Sequence, residues 1–219
     1  MNPEIPIISS KRLKSIQPLL YVIIDGANLV EHTSMPRMLL KTDTIELQYK
    51  KMSPAEINME ELFNTLLTIQ GTALNLAGYQ RVYIRTNTNL LIQLDPRLSI
   101  PFIFNDFLKM FYLFSKDGLV KSDDDATILM KYVKSDIGKF IPTGVPRYSL
   151  FIQPKEDKST SLKEFISPKT PIAVYVHLDP EQPSYDEIMQ NSYCISNDNL
   201  TSATILTKIV NEIECQNDF

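Results

Sequence analysis

The run LLYVII at residues 19–24 stops abruptly at Asp25-Gly26-Ala27-Asn28, and it constrains the fold of this chain more than any other feature. Continuous apolarity over so few residues, rich in β-branched side chains, is the pattern of a strand covered on both faces in a parallel sheet. A parallel neighbour requires a crossover. Ser53-Pro54-Ala55-Glu56 has the form of a capping box with proline at the first helical position, and Asn58 with Glu61 offers a second cap. Met59, Leu62, Phe63, Leu66, Leu67, Ala73, Leu74 and Ala77 then recur at helical spacing up to Gly78, and RVYIR at 81–85 reads as the next strand. Strand, helix and strand together make a βαβ unit.

The rest of the chain extends this alternation. The apolar segment 100–115 reads as a largely buried helix, 119–120 as a short strand and about 124–134 as a helix. Residues 193–196 read as the last strand and 201–215 as the last helix. Residues 1–17 lack a clear period and read as an irregular arm, and the proline-rich stretch 135–185 as an inserted β-hairpin or flap. The expected fold is a single α/β domain over 1–219, a three-layer sandwich with a central, mostly parallel sheet.

Composition narrows the function classes. Hydrophobic residues make up 43% of the chain and charged residues 22%, which excludes wholesale disorder. No apolar run approaches the ~20 residues of a membrane span, and Cys194 and Cys215 are too few for a disulfide framework. A soluble intracellular protein, cytoplasmic or nuclear and without a membrane partner, is expected. The net charge of −4 restricts any nucleic-acid contact to a local surface. Six glycines with no G-x-G-x-x-G or P-loop read against a nucleotide-cofactor domain. Ala27, two residues after Asp25, lacks the carboxylate that an aspartyl-nucleophile phosphatase wants there.

Ligands in α/β sheets sit at the carboxyl ends of the strands. Asp25 follows the first strand, Asp123, Asp124 and Asp125 follow 119–120, and Asp198 follows 193–196. Each aspartate alone is accounted for as a helix N-cap, and the acidic triplet as a solvated turn. Brought to one edge, they would either raise one another's pKa values or hold a hard cation such as Mg²⁺ or Mn²⁺.

The segments IIDGANLV at 23–30, KSDDDATIL at 121–129 and CISNDN at 194–199 resemble, in order and in strand context, the signature segments of the PIN-like NYN ribonucleases, most closely the Regnase-type branch. The resemblance implies a Mg²⁺- or Mn²⁺-dependent endoribonuclease that hydrolyses single-stranded or loop RNA. Asp25, Asp124, Asp125 and Asp198 would be its catalytic, metal-holding carboxylates, with Asp123 able to replace Asp124 by a one-residue shift. Asn28 would fix the first turn or contact the scissile phosphate. His32 is placed to touch substrate or relay a proton, Arg85 and Lys121 to track RNA, and Lys134 is one of several further basic residues; His177, inside an apolar run, reads as structural. The alternative is a non-catalytic PIN-like scaffold that binds RNA or a protein partner. The 135–185 insertion is the expected contact for such a partner or for a homodimer.

Overall fold

The computed structural model describes residues 8–123, 127–150, 160–178 and 192–219. Its centre is one mixed sheet of eight strands. The parallel block consists of β1 (Leu20–Ala27), β2 (Gln80–Thr86), β6 (Arg147–Leu150), β7 (Ile172–His177) and β8 (Ser192–Tyr193). Added to β2 are β3 (Leu91–Leu94), β5 (Ile128–Val133) and β4 (Leu119–Lys121), each antiparallel to its neighbour. The order across the sheet is β4-β5-β3-β2-β1-β7-β6-β8. β1 is therefore central, flanked in parallel by β2 and β7, and every one of its residues is buried. That is the environment its unbroken apolar run requires.

Alternation along the strands gives the sheet two distinct faces. Leu20, Val22 and Ile24 point into the main core with Val82, Ile84, Ile172, Val174 and Val176. Three helices close this face: α3 (Met59–Gln70), α5 (Phe104–Asp117) and α7 (Ser202–Gln216). Their apolar stripes carry Leu62, Leu66 and Ile69, then Phe107, Phe111 and Phe114, then Ile205, Ile209 and Ile213. Smaller helices α4 (Ala73–Leu76) and α6 (Leu162–Phe165) add Leu74 and Phe165 to the same core. Tyr21, Ile23, Tyr83, Ala173 and Tyr175 form the opposite face, covered by Ile137, Phe140, Ile141 and Val145 of the segment linking β5 to β6. Burial there pushes the Tyr83 hydroxyl up to about 12 and raises Tyr21 in the same direction. Near the chain start lies α1 (Ser10–Ser15), and α2 (Thr44–Lys50) packs Leu47 against Leu39 and Ile57 in a separate small cluster.

Several expectations need correction. Among the described residues all the core helices lie on one face, so the three-layer PIN-like sandwich gives way to a helical layer on a mixed sheet. Residues 128–133 form a strand and not a helix: they pair with β3 on one side and β4 on the other, with Met130 and Tyr132 packing on the main core and Val133 on the opposite face. The proposed flap 135–185 contains β6 and β7, two parallel strands inside the sheet, and Pro146 and Pro171 stand just before them. The expected first helix divides into a 3₁₀ turn at Pro54–Glu56, which keeps the Ser53 capping box, and α3 from Met59.

Candidate functional site

The carboxyl ends of β2, β1 and β7 bring Arg85, Asp25 and His177 into register side by side. All three lie on the face opposite the helices, because residue parity along each strand fixes the side. Asp25 is 1% exposed, and both its carboxylate oxygens accept from one guanidinium: Arg85 Nε donates to Oδ1 at 2.7 Å and Nη2 to Oδ2 at 2.6 Å. A carboxylate this buried needs a paired cation, and the bidentate fork fixes the plane of Arg85 as well as its charge. Gly26 follows with φ of +76°, and a Cβ there would collide with the His177 imidazole. Glycine is required on both counts.

A second layer of hydrogen bonds locks the turn after β1. Asn58 Nδ2 donates to the Gly26 carbonyl at 2.7 Å, and its Oδ1 accepts from Asn28 N at 2.9 Å. Asn58 stands at the N-cap of α3 without a capping hydrogen bond to that helix, because its side chain is spent on β1. Asn28 Nδ2 in turn donates to the Glu56 carbonyl at 2.9 Å. The β2–β3 turn is held by Asn87 N, which donates to the Ala27 carbonyl at 3.0 Å, and by Thr86 Oγ1, which accepts from Leu90 N at 3.0 Å. These elements enclose a cleft of about 370 Å³ walled by Asp25, Asn58, Arg85, Asn87, Asn89 and His177.

On the other flank, β6 and β8 end at the same edge, followed by the segment 194–201 and the N-terminus of α7. Ser202 Oγ donates to the His177 carbonyl at 3.1 Å, tying α7 to the end of β7. Ser196, Asn197, Asp198 and Asn199 lie in this segment, the last three exposed. Ser196 Oγ accepts from Asp198 N at 3.1 Å.

Asp25 and Arg85 meet in the cleft, and Asn28 shapes its floor. Asp198 follows β8 in the segment that leads to α7, whose Ser202 Oγ meets the His177 carbonyl at the end of β7. Asp124 and Asp125 lie outside the described residues. The strand ends that flank them, Lys121 and Ile128, pair with each other at the edge of the sheet opposite Asp25, because β4 and β5 run antiparallel. His32 sits in the loop closed by the Glu31–Met38 bridge, where its Nδ1 accepts from Ser34 N. Among the described residues no group of three His, Cys, Asp or Glu side chains is placed to hold a metal ion. Sequence reasoning passed over Asn58, Asn87 and Asn89 as site residues and assigned His177 a structural role. The signal available was position: each stands at a strand end or cap facing the carboxyl edge.

A mixed α/β sheet with a polar cleft and clustered loops at its carboxyl edge belongs to the large class of α/β proteins that bind ligand where the strand order switches. The sequence profile of the EMG1/NEP1 methyltransferases matches residues 15–214, and the chain belongs to that family. A curated relative from Candida glabrata, "Ribosomal RNA small subunit methyltransferase NEP1", is 27% identical over 213 residues, covering 94% of this chain and 92% of the relative. The protein of the same name from Homo sapiens is 26% identical over 200 residues, covering 89% and 80%. Among solved structures, Archaeoglobus fulgidus Nep1 bound to S-adenosylhomocysteine superposes with a TM-score of 0.66 at 12% identity, covering 92% of this chain and 99% of that one. Membership of a methyltransferase family overturns the PIN/NYN resemblance, the nuclease activity and the Mg²⁺ or Mn²⁺ cofactor inferred from it. In this chain the short motifs D-G-x-N and S-N-D stand at and just after strand ends, a place where any α/β sheet needs a change of direction.

Proposed function

We propose that this chain transfers a methyl group from S-adenosylmethionine to a nucleotide of small-subunit ribosomal RNA. The observation that carries the reading is the family match over residues 15–214, joined by full-length relatives named for that activity. The donor set at the carboxyl edge suits the cofactor. Hydroxyl, amide and carboxylate groups at Ser196, Asn197, Asp198 and Asn199 match the hydrogen-bonding edge of adenine, a ribose diol and a cationic amino-acid tail. Bound there, the cofactor supplies an electrophilic methyl group on a sulfonium.

The residues of the cleft supply the rest. The acceptor nucleotide enters beside Arg85, whose guanidinium plane is fixed by Asp25 and offers a stacking and hydrogen-bonding surface to a base. Asn58 holds Gly26 and Asn28 in place, so the wall does not yield when the base enters. An acceptor atom that gains a methyl must lose a proton, and the His177 imidazole lines the same cleft as the group to take it.

Titration calorimetry with S-adenosylhomocysteine tests the cofactor half of the reading. Saturable one-to-one binding is expected, weakened by Asp198→Ala. A folded protein that gives no binding heat and no melting shift with this ligand contradicts it.

A further inference from the structure

A second cleft, of about 440 Å³, lies beside the first and is lined by Arg85, Asn89, Leu91, Val133, Lys134 and Asp136. The two clefts share Arg85 and Asn89. The shared wall follows from topology: Arg85 at the end of β2 pairs with Leu91 at the start of β3, which pairs with Val133 at the end of β5. The carboxyl edge thus continues without a break from His177 past Asp25, Arg85 and Leu91 to Lys134. Asn89 is held in the left-handed region at φ of +59° by the β2–β3 turn, where its N–H donates to the Thr86 carbonyl. Lys134 is exposed and has no ion-pair partner among the described residues. Its neighbour Asp136 is engaged, with Oδ1 accepting from Gly138 N at 2.7 Å.

We propose that the two clefts form one track for single-stranded RNA, in which the nucleotide to be methylated occupies the Asp25–Asn58–His177 lobe and the phosphate of its neighbour meets Lys134 in the second lobe. Arg85 and Asn89 are the divider between the two nucleotides. This rests on the methyltransferase reading for the identity of the first occupant. The chemistry is that of strand recognition: a planar cation for a base face, amides for base edges and a point charge for phosphate. On a chain of net charge −4, a lysine set beside a polar cleft supplies the local attraction that the whole surface does not.

The test uses a fluorescein-labelled single-stranded oligoribonucleotide from small-subunit ribosomal RNA, with anisotropy measured across a salt series. Lys134→Ala should weaken binding roughly threefold to tenfold and reduce the slope of log K against log salt by about 0.7, the value for one phosphate contact on a single strand. Lys134→Glu should weaken it further. Lys208→Ala, on the exposed side of α7, should leave both quantities at parental values, and S-adenosylhomocysteine binding should be the same in all three variants. Parental affinity and slope in Lys134→Ala overturn the track, as does a parent that fails to bind the RNA. A Lys134-dependent slope in a protein that binds no S-adenosylhomocysteine leaves the RNA track standing and overturns methyl transfer instead.

Discussion

Asp25 and Arg85 occupy matching positions on parallel strands β1 and β2 and are joined by two hydrogen bonds of 2.7 and 2.6 Å. Neighbouring parallel strands stand roughly 4.8 Å apart, so two in-register side chains on one face meet without reaching. Stability and site geometry here depend on the same contact.

Removing either partner leaves the other charge buried. Asp25→Ala or Arg85→Met should each cost about 3–5 kcal/mol in denaturant unfolding. The double variant Asp25→Leu/Arg85→Met should lose less than the sum of the single changes, because it leaves no unpaired charge. It should also weaken RNA binding. Additive losses would show that the pair is not coupled.

The turn after β1 makes a second, independent demand. Gly26→Ala forces a Cβ into the left-handed region and against His177, so a loss of at least ~1–2 kcal/mol is expected. Asn58→Ala strands the Gly26 carbonyl and the Asn28 N–H and should cost about 1–3 kcal/mol. A melting curve unchanged by either substitution would contradict the described turn.

The first strand, the crossover helix and the last helix were legible in the sequence because burial on both faces, or on one helical stripe, leaves a direct mark on residue order. Residues 19–24 became β1, and 201–215 became α7 with Thr201 as its N-cap. What was not legible was direction. Nothing in KSDDDATIL says that β4 and β5 pair antiparallel, which sets Lys121 and Ile128 at the edge of the sheet opposite Asp25. The segment NLLIQL likewise gave no sign of β3, whose four residues are too short for a period. Asp25 was legible as a strand-end carboxylate, but its partner was not: the register that sets Arg85 opposite it exists only once β1 and β2 pair.

The face opposite the helices titrates at high pH. Burial raises the Tyr83 hydroxyl to about 12 in the folded protein, against about 10 when unfolded, with the nearby Arg81 charge opposing the shift. A group whose folded value is raised contributes stability that is fully present below pH 10 and lost as pH rises towards 12. Unfolding free energy should therefore fall across that window, and Tyr83→Phe should flatten the decline. An identical alkaline limb in the two proteins would contradict the burial of this hydroxyl.

The central claim is methyl transfer at the carboxyl edge of the sheet, and its most direct measurement is incorporation of labelled methyl from S-adenosylmethionine into small-subunit ribosomal RNA by the purified chain. We expect label to enter the RNA at one position, with the RNA remaining full length, and incorporation to fall at least tenfold in Asp25→Leu/Arg85→Met. Shortened RNA without methyl gain, or incorporation undiminished in that double variant, would contradict the account.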